Sequence, residues 1–326
     1  MRILFAGGTG FVGRAMAVEA LSRGHHVTLL HRGNRHPPDV ADAEHLLADR
    51  DGDLSLLAGR RFDATIDVCA YVPRQVDHLA DALGDRGGHH VFVSTVSVYQ
   101  EPDGPGLVES APLATVPDPT TEVVDDRTYG GLKVLCEQRA AAAYGASGLT
   151  VVRPTYVIGP HDHTLRFPYW VRRIASGGTV LAPGPADAPM QTIDARDQAS
   201  WTLDLAEGGV AGMFTSADRA STFGAMLDAI VGAIAPAGTT LEWVDGRWLV
   251  EQGEDGSSLP LWCEGGREWA LAADPAAAFG TGLRPRPLTE SALDTQGWLT
   301  AEPPVGPAGR VDHRREAELL AAWAAR

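Results

Sequence analysis

Short apolar runs alternate with helical patterns through the first half of the chain. Arg2–Ala6 (RILFA) reads as a buried strand. Phe11–Ser22 then places Phe11, Val12, Met16, Val18 and Leu21 at helical spacing and stops at Gly24. Further strands are expected at His26–Leu30, His45–Ala48, Ala64–Cys69 and His90–Thr95. A helix follows over Tyr129–Ala143, then a sixth strand, Leu149–Arg153, which Pro154 ends. Strands alternating with helices predict an α/β unit, a doubly wound parallel sheet of about 150 residues.

Past Pro154 the rhythm changes. Segments 156–190 and 218–326 are richer in Pro, Gly and Trp, while Gly209–Ser216 (GVAGMFTS) looks like a return to the sheet. The expected organisation is therefore a main unit over 1–155 to which 191–217 returns. A smaller discontinuous C-terminal lobe is built from 156–190 and 218–326. Glu251–Ser258 reads as a polar surface loop. Arg314–Ala325 reads as a closing helix with Leu319, Leu320 and Trp323 on one face.

Composition narrows the partners. Over 326 residues the formal net charge is −15, which disfavours a phosphate backbone and so a nucleic-acid partner. Cys69, Cys136 and Cys263 show no paired spacing and read as reduced thiols of a cytoplasmic protein. No window approaches ~18 uninterrupted apolar residues, so no membrane span is expected. A monomer or homodimer is expected.

The glycines at the end of the first strand bring in chemistry. Gly7, Gly10 and Gly13 follow a strand and open a helix, and Gly8, Gly10 and Gly13 also satisfy G-x-G-x-x-G. A tight turn, close approach of backbone to pyrophosphate and close helix–sheet packing each ask for glycine there. The loop, with Thr9, Phe11 and Val12, predicts dinucleotide binding on a Rossmann sheet. At the end of the second strand, where a carboxylate would select NAD, the residues are His31 and Arg32, with Arg35 close behind. A guanidinium suits a 2′-phosphate, which favours NADP over NAD. Asp49, after the third strand, is placed to meet the adenine amino group. Arg50, Cys69 and Ala70, at the ends of the third and fourth strands, join the candidate cofactor contacts.

Tyr129 and Lys133, in YGGLK, share one helix face. A free tyrosine has a pKa near ~10, and a nearby ammonium lowers it by stabilising phenolate. Lys133 can also hold the nicotinamide ribose. Ser94, Thr95 and Ser97, from HVFVSTVSVY at the end of the fifth strand, offer a hydroxyl to orient a substrate oxygen against Tyr129.

GGTGFVG (7–13), Asp49, STVSVY (94–99), YGGLK with Glu137, RPTYVIGPHD (153–162) and Asp197 occur in one order over residues 1 to about 200. As a set they resemble the extended short-chain dehydrogenases/reductases, the NAD-dependent epimerase/dehydratase family. The resemblance implies Tyr129 as general acid/base and Lys133 as its partner. It also implies Thr95 as the catalytic hydroxyl with Ser97 beside it, and Pro154 bordering the nicotinamide. Dehydratases of the family carry an Asp-Glu pair after the catalytic threonine. Val96 and Ser97 stand there instead, which disfavours 4,6-dehydration. His31-Arg32 departs from the acidic residue of NAD-retaining epimerases. The expectation is an NADPH-dependent reductase, with a sugar-nucleotide epimerase retaining NAD as the alternative. The chloroplast stem-loop RNA-binding branch shares Asp49-Arg50 and Phe62-Asp63, so a catalytically idle cofactor- or RNA-binding member is a further reading.

On the substrate side, His161, His163, Arg166, Tyr169 and Trp170 crowd one segment and suit a polar or anionic small molecule. Tyr71 and Tyr99 sit at strand C-terminal ends, where ligands bind in such sheets. Gln191 completes the substrate candidates. His161-Asp162-His163 lacks further ligands nearby, so no metal is expected. Sugar nucleotide, ketone, aldehyde and imine substrates all stay open.

Overall fold

The computed structural model describes residues 1–264, 269–304, 309 and 311–326. Strands β1 (Arg2–Ala6), β2 (His26–His31), β3 (Glu44–Leu47), β4 (Ala64–Asp67), β5 (His89–Val93) and β6 (Leu149–Pro154) come with helices α1 (Phe11–Ser22), α2 (Pro73–Leu83) and α3 (Tyr129–Tyr144). The chain leaves the sheet through β7 (Tyr156–Ile158), α4 (Arg166–Ala175), β8 (Thr179–Pro183) and β9 (Pro189–Met190). It returns through β10 (Thr192–Asp194), α5 (Ala195–Gly208) and β11 (Gly212–Ser216). It leaves again through β12 (Ser221–Thr222), α6 (Phe223–Ile234), β13 (Thr240–Val244), α7 (Gly246–Glu251), α8 (Ala276–Gly280), α9 (Leu288–Ala301) and α10 (His313–Ala324).

Seven strands form one sheet in the order β11-β6-β5-β4-β1-β2-β3, every pair parallel. Parallel strands are covered on both faces, which explains their continuous apolar sequences. Ile3, Leu4 and Phe5 of β1 are fully buried. On one face α1 packs with Met16, Ala17 and Ala20 beside Trp201 and Leu205 of α5. On the other face α2 turns Leu79 and Leu83 to Leu4 and Leu30. The order reverses about β1 and β4, which opens a crevice at the C-terminal edge of the sheet.

A second core lies outside the sheet. Trp170 of α4, Val180 of β8, Phe223 and Met226 of α6, Trp248 of α7 and Leu319 of α10 meet there. Arg173 bonds Glu316, tying α4 to α10. Among the described residues, no helix is long and apolar enough to cross a membrane.

Two strands stop short of their expected ends for the same reason. The Asp67 carboxylate accepts the Cys69 N–H at 3.2 Å, and Thr95 Oγ1 accepts the Ser97 N–H at 3.2 Å. Each side chain offers the backbone a turn in place of the ladder. Residues 96–98 form a single 3-10 turn. The segment 251–258, expected on the surface, is partly interior: Glu254 and Ser258 are buried, and Glu254 pairs with Arg315 at 2.8 Å.

Candidate functional site

The glycine loop is built by contacts that leave no room for a side chain. Gly7 and Gly8 have φ of 108° and 94°, a region L-residues rarely adopt. A Cβ on Gly13 would lie 2.7 Å from the Gly8 nitrogen and 2.9 Å from Val68 Cγ2, so its absence lets α1 sit on the turn. Gly10 precedes α1 with no side-chain cap, leaving the first-turn N–H groups for a ligand. The loop walls a cleft of about 1000 Å³ that runs from β3 past Lys133 to His163 and Arg166.

At the end of β2, His31 and His45 form a fixed relay. His31 Nδ1 accepts the Gly33 N–H at 3.1 Å, so its proton sits on Nε2, 2.8 Å from His45 Nδ1. His45 Nε2 then donates to Val40 O at 3.0 Å. Both rings are neutral in this arrangement, and burial followed by the two neighbouring histidines lowers the His31 pKa. His31 lines the cleft, with both of its ring nitrogens engaged within the protein. Arg32 and Arg35 are exposed and make no hydrogen bond or ion pair among the described residues. Arg35 reaches across the loop, its Nη1 3.3 Å from where a Gly10 Cβ would lie.

Asp49 lines the cleft while its carboxylate accepts the Asp51 N–H at 3.0 Å. Arg50 also lines the cleft, its guanidinium held by the protein. Its guanidinium grips the fully buried Asp67 at 2.7 and 2.8 Å and Gln75 O at 2.9 Å. That pair holds the carboxyl of Asp67 below its usual range despite burial. Cys69 lines the cleft with Sγ 3.3 Å from Ala6 O. Ala70 is buried and contributes a carbonyl.

Tyr129 and Lys133 come off α3 at the far end of the cleft. Lys133 Nζ donates to Ala70 O at 2.9 Å and Val93 O at 2.8 Å. It lies 4.1 Å from the Phe92 ring centroid and 5.8 Å from that of Tyr71. Burial pushes its pKa down to about 8. The Tyr129 ring stands 6.3 Å from Tyr71. Burial and Tyr71 raise the Tyr129 pKa, while a hydrogen bond with Thr95 and the charge of Arg166 oppose the rise. Thr95 Oγ1 donates to Ser97 Oγ at 3.2 Å. Tyr129, Lys133, Thr95, Ser97 and Pro154 thus line one end of one cleft.

Of the substrate candidates, Tyr71, His163 and Arg166 line the cleft; the five others do not, Trp170 being buried in the second core. Tyr99 is buried, its hydroxyl 3.0 Å from Thr215 Oγ1 and 3.1 Å from Arg153 Nη1. Arg153 is held in turn by Glu137 at 2.6 and 3.0 Å. Tyr169 donates to Val311 O at 3.2 Å inside the second core. Gln191 is buried, bonding Asp218 O, Ala273 O and Ala273 N. His161 lines a separate cavity of about 620 Å³ with Arg14 and Trp201 and meets Trp298 edge-on. Tyr99, Tyr169 and Gln191 thus turn to the protein interior rather than the crevice, and His161 to the separate cavity. Tyr156, Val157, Thr164 and Leu271 also line the cleft. Residues 156–157 lie in a segment already singled out, whereas nothing local marks Leu271. Among the described residues, no group of three or more His, Cys, Asp or Glu is placed to hold a metal ion.

Comparisons with known proteins bear on the family and the fold. Residues 3–212 match the NAD dependent epimerase/dehydratase family. The chloroplast stem-loop binding protein of 41 kDa b from Arabidopsis thaliana is 24% identical over 220 residues, 63% of this chain. The match spans about half of that relative's length, 54%. Two solved structures share the fold. One is UDP-N-acetylglucosamine 4-epimerase from Methanobrevibacter ruminantium M1 in complex with UDP-N-acetylmuramic acid. It has a TM-score of 0.71 at 17% identity, covering 92% of this chain and 98% of that one. The other is the Bordetella bronchiseptica enzyme WbmH in complex with NAD+, also at 0.71, with 16% identity over 92% and 99%. With a glycine turn, a Tyr–Lys–Thr end and a profile match over most of its length, the chain belongs to the NAD-dependent epimerase/dehydratase family.

Proposed function

We propose that this family member is an NADP(H)-dependent reductase acting on a carbonyl of a small polar substrate. The observation that carries the reading is the meeting of Tyr129, Thr95 and Lys133 at one end of the cleft that the glycine loop opens. The loop fits a dinucleotide, because positions 7, 8 and 13 exclude side chains and α1 begins uncapped. Arg32 without a counter-ion fits a 2′-phosphate. When bound, the reduced nicotinamide supplies hydride to the carbonyl carbon.

The chain's own groups do the rest. Thr95 orients the substrate oxygen, and Tyr129 gives it a proton through the hydroxyl that Thr95 already engages. Lys133 keeps a positive charge near that phenol and stabilises the phenolate left behind. Ser97 is a second hydroxyl for the developing oxyanion. Dehydration is disfavoured. Among the described residues, the carboxylates lining the cleft are Asp49 and Asp51, which follow β3, and Val96 follows Thr95. The charge of −15 and the retained triad favour catalysis over RNA binding.

The test is NADPH absorbance against a panel of aldehydes and ketones. Net NADPH loss should equal alcohol formed, and Y129F should lower the rate at least about 100-fold. Conversion of a sugar nucleotide with no net cofactor consumption would assign an epimerase instead.

A further inference from the structure

The segment that carries Arg32 and Arg35 has little of its own to hold it. Residues 32–37 belong to no strand or helix. Along residues 32–36, the one hydrogen bond among the described residues runs from Gly33 N–H to His31 Nδ1. Both arginines are exposed. An arginine side chain carries about 2 kcal/mol of rotamer freedom to be lost on binding. A backbone free to wander would add to that cost.

Two histidine rings close the segment at both ends. His31 takes the Gly33 N–H at its start, and His45 Nε2 donates to Val40 O at its finish, in the 3-10 turn Pro38–Val40. The rings are joined at 2.8 Å and stand edge to face, 5.0 Å apart at 80°. Pro37 and Pro38 stiffen the far end, and Arg14 of α1 donates to Asp39 of the turn at 2.9 Å. The relay runs in one direction because its ends do: an N–H only donates and a carbonyl only accepts, so each ring carries its proton on Nε2. Arg32 lies between the two residues that the first bond joins, and Arg35 between the two anchors. His31 lines the cleft, whereas His45, half-buried on β3, stands behind it and is not part of the lining. The glycine loop does not depend on this arrangement, since its turn is shaped against Val68 and Leu29.

We propose that His45 is a positioning residue for cofactor choice. Acting through His31, it holds the 32–40 segment so that Arg32 and Arg35 meet a 2′-phosphate, and it does not itself touch the cofactor. This rests on the NADP(H) reading. The rings fix the backbone from which the two guanidinium groups reach, so the benefit falls on the phosphate monoester that distinguishes NADPH from NADH. Pyrophosphate and nicotinamide are left to the glycine loop and to Lys133.

The experiment is titration of the full chain with NADPH and NADH, followed by nicotinamide fluorescence, in wild type, His45→Leu and His45→Asn. H45L removes both ring nitrogens and should weaken NADPH at least about threefold while leaving NADH affinity unchanged. H45N offers His31 an acceptor again but has no donor that reaches Val40 O, and should recover part of the loss. The imidazole nitrogen NMR spectrum of the wild type should show His31 and His45 both in the Nε2–H form; an Nδ1–H form at either ring overturns the relay and the proposal with it. A wild-type preference for NADPH that H45L keeps in full, or a loss shared equally by NADPH and NADH, overturns the positioning role and leaves the NADP(H) reading standing. A wild type that does not prefer NADPH overturns both. Should H45L fail to fold, H45N decides: weaker NADPH with unchanged NADH supports the role, and the full wild-type preference overturns it.

Discussion

Lys133 is buried without a carboxylate partner, and that has a measurable consequence for stability. Its ammonium is held by two carbonyls, and its pKa falls from 10.5 to about 8. Across that window the unfolded chain keeps the proton on Lys133 when the folded chain has released it. Unfolding free energy therefore rises with pH there, and the penalty for the buried charge is fully present below pH 8. A drop of 2.5 pKa units corresponds to about 3 kcal/mol in total, of which about 2 kcal/mol is recovered between pH 7 and pH 9.5. Lys133→Met removes the titrating group. It also leaves the carbonyls of Ala70 and Val93 without their donor, at about 1–3 kcal/mol each, so the pH slope is diagnostic rather than absolute stability. Urea unfolding of the wild type and K133M at several pH values reads that slope. The wild type should gain about 2 kcal/mol relative to K133M from pH 7 to pH 9.5. A difference that stays flat over this range would refute the buried, carbonyl-held ammonium.

Two further substitutions probe the frame around the site. Glu137→Gln leaves Arg153 charged and unmatched beneath Tyr99, and should cost about 3 kcal/mol in urea unfolding; a loss under ~1 kcal/mol would argue against a buried ion pair. Gly13→Ala puts a methyl against the Gly8 backbone. It should lower stability by about 1–3 kcal/mol and NADP affinity at least about tenfold, whereas unchanged calorimetric binding would mean the turn does not approach the cofactor.

The strands nearest the cleft were legible because parallel strands covered on both faces are written as unbroken apolar runs, as in RILFA and HVFV. The glycine turn and the Tyr129–Lys133 face were legible because both are local, fixed by spacing within one element. Side-chain direction was not. Tyr99 follows β5, as a cleft residue should, yet it turns to a distant partner, Arg153. Arg50 does line the cleft, with its guanidinium held by Asp67. Tyr169 lies three residues from Arg166 on α4, but one faces the second core and the other the cleft. That follows from where α4 packs, which its sequence does not state. Leu271 reaches the cleft from the second core with no motif of its own, because the packing of that core is a tertiary outcome. β5 ends at Val93 rather than Thr95, because the threonine expected to meet the substrate also turns the chain.

In the proposed reading, this cleft takes NADP(H) through Arg32. Nicotinamide fluorescence, titrated with NADPH and NADH against the wild type and Arg32→Ala, tests it most directly. NADPH should bind at least about tenfold more tightly than NADH, and R32A should erase that advantage while leaving NADH affinity unchanged. Equal or tighter binding of NADH, or an R32A variant that keeps the full preference for NADPH, would contradict it.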